Sequence, residues 1–435
     1  MSLAEVRLWG RSIGAVSLQA GATTAAFEYV PGFAGSGIEL SPLCMPLARR
    51  VYAFPELAQP AFHGLPGLLA DSLPDRFGNA LIDQWLATQG QAPGSFDAVE
   101  RLCYVGNRGM GALEFRPAHG PRARKASELD VAALVALASD ILAHRSGLQA
   151  SLKRPARHKA MQDILRVGTS AGGARAKALV AWNPDTNEVR SGQVPADPGF
   201  GYWLLKFDGV AHNRDRELAD PQGFGAVEYA YSLMARAAGI DMSECRLLEE
   251  GGRRHFMTRR FDRLEDGGKL HMQSLGALAH FDYNLPGAYA YEQALQVIRR
   301  LGLPMADVER QFRRMLFNVV ARNQDDHVKN IAFLMDPAGR WSLAPAFDVS
   351  YAWNPDGDWT ARHQMTVNGK RDGFALADFR ACAAAAGLVR GRERRMLDDV
   401  RGAVAQWPAF AREAGVDAGW TKQIAAAHRM AFPDS

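Results

Sequence analysis

One polar octet constrains this chain more than any other stretch. Asn323-Gln324-Asp325-Asp326-His327-Val328-Lys329-Asn330 stands between two apolar elements. A helix is expected before it, from about Asp307 to Arg322, because Phe312, Met315, Leu316 and Val319 recur at spacings of three and four and so share one face. Ile331-Ala332-Phe333-Leu334-Met335 follows at once and reads as a strand. Polar side chains wedged between buried elements cost free energy unless they are paired or used. Taken singly, Asp325, Asp326 and Asp348 are readable as caps or turn residues, and His327 as a satisfied core histidine. Their joint order favours chemistry.

Phosphoryl transfer is the chemistry that fits. It needs a carboxylate to orient the attacking hydroxyl and oxygen ligands to hold Mg²⁺ against the phosphates. In protein kinases the catalytic Asp precedes a metal-binding Asn by five positions. Asp325 and Asn330 have that spacing. A second metal carboxylate should follow a strand pair. Ile331 to Met335, a Pro337-Ala338-Gly339 turn and Trp341-Ser342-Leu343 predict a hairpin, and Asp348 in Ala346-Phe347-Asp348-Val349 fills that place. A metal-dependent hydrolase would want more His or carboxylate ligands close by.

Upstream, Val167 to Val180 is a glycine-rich loop running into a strand, and its backbone N–H groups could cradle phosphates. A plain hairpin turn would look similar. Tyr202 to Phe207 reads as a strand with Lys206 amid apolar neighbours, placed to meet the phosphates of a nucleotide or, at a strand edge, to snorkel to water. Glu228, on the next expected helix (Val227 to Ala238, ended by Gly239), is the candidate partner of Lys206. Phe256 to Arg263 leaves the β-rich half and enters the helical half, where a hinge would hold adenine through backbone hydrogen bonds.

The 435 residues suggest two or three domains, with a composition of 47% apolar and 23% charged residues that suits an ordinary globular protein. An opening hairpin around Gly10, helices from about Phe77 to Ala87 and Leu129 to His144, and a Pro/Gly/Arg-rich boundary between Pro117 and Lys125 precede the β-rich lobe. Arg145 to Lys159 reads as a basic, solvated connector, and residues 164 to 210 as strands around the glycine-rich turn. After about Phe261 the pattern is mostly helical. Cys44, Cys103, Cys245 and Cys382 form no CxxC pair, which argues for reduced thiols in a cytoplasmic protein rather than a zinc site or disulfide framework. The first residues carry no signal-peptide pattern, and no apolar run reaches the roughly 20 residues that span a bilayer, so no membrane role is expected. The net charge of +4 neither establishes nor forbids contact with DNA.

Together these pieces resemble the HipA family of serine/threonine kinase toxins. The ordered set runs through Leu65-Pro66-Gly67, Asp71-Ser72-Leu73-Pro74-Asp75, Gly109 to Leu113, Ser170 to Lys177, Leu205-Lys206-Phe207, Arg260 to Arg263, Leu270 to Ser274, Asp325 to Asn330 and Phe347-Asp348-Val349. The resemblance implies an α+β, two-lobed, protein-kinase-like fold. Residues 1–122 would form an extra N-terminal subdomain, 123–260 the nucleotide-binding N-lobe core, and 261–435 an all-α catalytic C-lobe. The cofactors would be ATP and Mg²⁺. Asp325 would be the base, Asn330 and Asp348 the metal ligands, and His327 and Lys329 the rest of the phosphate-side loop. Ser170, Ala171, Gly172, Gly173, Ala174, Lys177 and Lys206 would face the nucleotide, with Arg259, Arg260, Phe261 and Asp262 at the hinge. Ser170 would be an autophosphorylation site whose modification switches the kinase off.

The implied partners are a HipB-like helix-turn-helix antitoxin, DNA indirectly through it, and a protein substrate such as an aminoacyl-tRNA synthetase, whose phosphorylation stalls translation. Two other readings keep the same residues: a phosphoinositide-kinase-like enzyme with a lipid or small-molecule acceptor, and a catalytically silent co-repressor bound to its antitoxin.

Overall fold

Alternation starts the fold. In β1 (Ser2–Leu8), Ala4, Val6 and Leu8 point into a core while Leu3 stays exposed. β2 (Arg11–Leu18) returns antiparallel, with Leu8 opposite Arg11 and both turn residues, Trp9 and Gly10, at positive φ (47° and 76°). Two-residue hairpins of the favoured hand need that backbone at both positions, and Trp9 is held there by its indole N–H donating to the Lys269 carbonyl at 2.7 Å. β3 (Ala26–Tyr29), β4 (Val51–Tyr52) and β5 (Leu113–Arg116) complete a sheet of order β4-β3-β2-β1-β5. The computed structural model describes residues 1–121, 128–142, 155–168, 175–193, 197–210, 214–215, 218–219 and 222–435.

A second five-stranded antiparallel sheet has the order β11-β12-β8-β6-β7. Its strands are β6 (Lys177–Trp182), β7 (Val189–Ser191), β8 (Gly201–Lys206), β11 (Cys245–Glu250) and β12 (Arg253–Arg259). Two short strands, β9 (Arg214–Asp215) and β10 (Leu218–Ala219), pair with each other. Every residue of β6 is buried. Helices Val131–Leu142 and Pro155–Val167 pack against this sheet, and Phe77 and Leu81 of helix Arg76–Thr88 join the same core. Helix Pro155–Val167 corrects the sequence reading, which placed a connector up to Lys159 and strands from 164. Basic side chains dominate that stretch, but Met161, Ile164 and Leu165 keep the helical spacing and are buried.

Helix Phe224–Ala237 follows, with Gly239 at φ 76° just past its end as expected. Its buried face (Val227, Ala230, Tyr231, Met234) belongs to the large helical core, not to the core of the second sheet. That core is built from helices Tyr291–Arg300, Met305–Val320, Leu376–Ala386, Arg392–Val404, Trp407–Glu413 and Ala418–Ala427.

The helical half is not all-α. β13 (His271–Ser274), β14 (Ala332–Met335) and β15 (Trp341–Leu343) form a three-stranded antiparallel sheet within it. The expected β14–β15 hairpin is present, with Gly339 at φ 81°. β13 joins it from a distant part of the chain because all four residues of β14 are buried, so its second edge must also be paired.

The N-terminal sheet is fastened to the rest by polar contacts. Asp71 accepts from the Ser274 N–H and hydroxyl (2.7 and 2.9 Å), and Asp262 accepts from the Gly111 N–H (2.6 Å). The four cysteines are unpaired, three of them buried. Among the described residues no helix is long and apolar enough to cross a membrane.

His271 on β13 is fully buried, and neither ring nitrogen has a hydrogen-bond partner among the described residues. Burial pushes its pKa down to about 3. In the unfolded chain a histidine titrates near ~6.5, so below that pH the unfolded chain takes up a proton that the fold refuses, at a cost of about 1.4 kcal/mol per pH unit. His271→Leu is therefore expected to flatten the pH dependence of the unfolding free energy between pH ~6.5 and ~4 by about one proton, read by chemical denaturation. An unchanged slope would contradict this.

Candidate active site

Helix Met305–Val320 buries Val308, Phe312, Met315, Leu316 and Val319, and the chain then reverses at Arg322 with φ 60°. Arg322 is held in that uncommon conformation: its guanidinium lies 4.2 Å over the Trp353 ring and its Nε donates to the Ala427 carbonyl at 2.8 Å. Asn323 pins the start of the octet by donating its side-chain amide to the Asn318 side chain (3.0 Å).

Asp326 anchors the octet. Its buried carboxylate accepts from Tyr291 Oη (2.7 Å), the Gln364 N–H (2.8 Å) and His363 Nδ1 (2.8 Å). Burial alone would raise its pKa, but the hydrogen bonds from His363, Tyr291 and the Gln364 N–H outweigh it and hold the carboxyl below its usual range. Asp325 turns the other way. Its Oδ1 accepts from the Trp359 indole N–H at 2.6 Å, its backbone carbonyl accepts from the Asn330 side-chain amide at 2.8 Å, and His327 Nε2 lies 4.0 Å from Oδ1. A single turn of 3₁₀ helix, Val328–Asn330, brings Asn330 back beside Asp325. Lys329 lays its ammonium over the Tyr283 ring at 4.8 Å.

Asp348 lies past the β14–β15 hairpin at φ 55°, a conformation that Asp tolerates better than most residues. Its Oδ1 meets Lys206 Nζ at 2.6 Å, and Glu228 Oε1 meets the same ammonium at 2.5 Å. Burial would depress the Lys206 pKa, but Asp348 and Glu228 outweigh it and keep the ammonium firmly charged. Burial likewise acts to raise Asp348, and Lys206 overrides it, so the carboxylate is held well below its usual range. The Asp348 side chain still keeps 38% of its surface open, so it can take a further ligand. Asn330, His327 and Asp348 all line one small cavity of about 30 Å³. An amide and a carboxylate are hard oxygen donors that suit Mg²⁺, which is commonly held by one or two protein groups together with phosphate oxygens. Among the described residues no group of three or more His, Cys, Asp or Glu is arranged to hold a metal alone.

The remaining expected residues divide. Lys177 sits opposite Lys206 across β6 and β8, and its ammonium reaches Asp75 at 3.0 Å, tying the N-terminal part to this sheet. Arg259 is half exposed and faces Glu265 and Glu244 (3.4 and 3.7 Å). Arg260 and Asp262 turn their side chains toward Gly109 and Gly111 of the N-terminal part. Both are buried, with Arg260 Nη2 2.7 Å from Asp262 Oδ2 and Arg263 Nη1 2.8 Å from the same oxygen. Burial pushes Asp262 up, but the two guanidiniums outweigh it, and the carboxyl lies well below its usual range. At these two positions the side chains are committed to this buried ion pair. Phe261 packs its ring 5.6 Å from Phe347, beside Asp348. Ser170, Ala171, Gly172, Gly173 and Ala174 lie outside the described residues. Trp359, His363 and Tyr291 went unnoticed in the sequence, since each is a single residue far along the chain from the octet it serves.

The HipA N-terminal domain model matches residues 4–116 and the HipA-like C-terminal domain model matches residues 169–407. The chain belongs to the HipA family. Its α+β, two-lobed, kinase-like fold is similar to that of a chain from the complex of HipA, HipB and operator DNA of the Shewanella oneidensis MR-1 toxin–antitoxin system. The TM-score is 0.66 at 17% identity, covering 97% of this chain and 96% of that one. Two Sinorhizobium fredii (strain NBRC 101917 / NGR234) proteins, Y4mE and Y4dM, whose names assign them provisionally to the kinases, are 30% identical over 190 residues and 27% identical over 176. These alignments cover 40% and 36% of this chain, and the chain spans only 44% and 39% of those relatives.

Removing the Asp326 carboxylate strands Tyr291, His363 and the Gln364 N–H in the interior. Asp326→Ala is expected to lower the unfolding free energy by about 3 kcal/mol or more, measured by urea denaturation. A loss below ~1 kcal/mol would show that the anchor is dispensable.

Proposed function

We propose that this chain is an ATP-dependent serine/threonine protein kinase acting as the toxin of a toxin–antitoxin pair. The observation that carries the reading is the Lys206 ammonium clamped between Glu228 and Asp348, with Asp325 and Asn330 joined across the neighbouring loop. Phosphoryl-transfer sites of the protein-kinase type need both a strand lysine paired to a helix glutamate and a metal-binding aspartate.

The residues divide the work as follows. Lys206 binds phosphate oxygens and is kept in place by Glu228. Asp325, aimed by the Trp359 N–H, accepts the proton of the acceptor hydroxyl. His327 and Lys329 line the phosphate side of the loop. Mg²⁺, when bound with ATP, would be held by Asn330 and Asp348 and would neutralise charge on the β- and γ-phosphates. The chain is read as an N-terminal subdomain (1–122), an N-lobe core (123–260) and a catalytic C-lobe (261–435).

The likeness to a chain from the HipA–HipB–operator complex supports a HipB-like antitoxin as partner, with DNA reached through it. The acceptor is taken to be a cytoplasmic, translation-related protein of the aminoacyl-tRNA synthetase kind. Ser170 is read as the autophosphorylated off-switch, because a phosphate there adds about −1.5 to −2 charges to a loop that must itself hold phosphates.

Two outcomes are expected. Asp325→Ala should cut label transfer from γ-labelled ATP by about 10²–10⁴-fold while ATP still binds. Undiminished transfer would remove Asp325 from the chemistry. Separately, wild-type protein incubated with Mg²⁺ and ATP should gain the mass of a phosphate and bind ATP more weakly, whereas Ser170→Ala should do neither. Equal behaviour of the two proteins would rule out the switch.

A further inference from the structure

The segment after helix Ala418–Ala427 lies beyond residue 407, where the match to the HipA-like C-terminal domain ends. It nevertheless runs along the base of the candidate catalytic loop. The Arg429 N–H donates to the Val320 carbonyl (2.9 Å) at the end of the helix that leads into the octet. The carbonyls of Pro433 and Asp434 accept from the Leu376 and Ala377 N–H groups (2.8 and 3.2 Å), and Phe432 packs edge-on against Phe379 at 5.1 Å. These contacts tie helix Met305–Val320 to helix Leu376–Ala386 across the loop.

The Arg429 side chain points inward. One guanidinium nitrogen lies 2.9 Å from His363 Nε2, while the other contacts Asp372 and reaches Gln324 Oε1 at 3.4 Å. A guanidinium can only donate. His363 Nε2 is therefore the acceptor and carries no proton, so the ring proton sits on Nδ1 and is donated to Asp326 Oδ2 at 2.8 Å. The result is a one-way chain of hydrogen bonds: Arg429 to His363, and His363 to Asp326. It ends on the carboxylate that anchors the octet, one residue from Asp325.

We propose that residues 428–434 are a positioning strap for the catalytic loop, acting through Arg429, which fixes the His363 tautomer and through it Asp326 and the neighbouring Asp325. The inference rests on the reading of Asp325 as the base. Arg429 touches no reacting atom in this scheme and is a positioning residue. Small displacements of a reacting group cost rate far more than they cost binding.

The test compares wild type, Arg429→Ala and Arg429→Lys as full-length proteins. Turnover of γ-labelled ATP with Mg²⁺ is counted as label transferred to protein plus label released. Arg429→Ala is expected to lower kcat by about 10- to 100-fold with the KM for ATP nearly unchanged, and millimolar guanidinium is expected to restore part of the rate. An unchanged kcat would overturn the strap. So would a loss that tracks only a lower melting temperature and is not rescued by guanidinium. Arg429→Lys, which keeps one donor but not the fork, should fall between the two.

A second measurement does not depend on activity. In ¹⁵N-histidine spectra the His363 signal, assigned by its loss in His363→Gln, should show a protonated Nδ1 and a bare Nε2 in wild type, and should lose that pattern in Arg429→Ala. The same pattern in both proteins would refute the relay. If wild type itself turns over no ATP, the reading of Asp325 fails instead, and the strap stands or falls on the spectra.

Discussion

One largely buried ammonium, that of Lys206, ties the parts of this protein together. Lys206 comes from β8, Glu228 from the helix packed against the helical core, and Asp348 from the turn after the β14–β15 hairpin. An ammonium withdrawn from water needs carboxylates close by, and breaking such a buried pair costs about 3–5 kcal/mol. The three groups belong to three separate parts of the fold, so satisfying one charge fixes how those parts sit together. Asp348 is pulled toward Lys206 while more than a third of its side chain stays open, which leaves it able to serve a bound ligand as well.

A second set of contacts steadies the loop that faces this triad. Asp326 and Asp325 are adjacent and point opposite ways. Asp326 is held by three donors, while Asp325 meets the Trp359 indole N–H on Oδ1 and keeps 18% of its side chain exposed. Burying one carboxylate to aim its neighbour is an effective division of labour, because the buried group is fully hydrogen-bonded and the backbone between the two has little freedom. A separate buried carboxylate, Asp262, joins the N-terminal sheet to the rest through Arg260, Arg263 and the Gly111 N–H.

The parts of this arrangement that were legible in the sequence share one property: their signals are local. The striped helix, the polar octet, the hairpin with its Gly339 turn and the order Lys206, Glu228, Asp348 can each be read from spacing along the chain. The parts that were not legible depend on partners far away. β13 pairs with β14 from a distant segment, and Trp359, His363 and Arg429 reach the octet as single residues with no periodic trace. Arg260 and Asp262 stand in the expected hinge segment, and the buried ion pair that their side chains form leaves no mark on spacing. Helix Pro155–Val167 was hidden by its basic composition, although its apolar residues kept the helical interval.

The central claim is that the Lys206 triad makes this a phosphate-transferring site. Its most direct test is label transfer from γ-labelled ATP with Mg²⁺ by wild type and by Lys206→Met, with folding of both checked by circular dichroism. The account predicts measurable transfer by wild type and its loss in a folded Lys206→Met protein. Equal transfer by both, or none by a folded, unphosphorylated wild type, would contradict it.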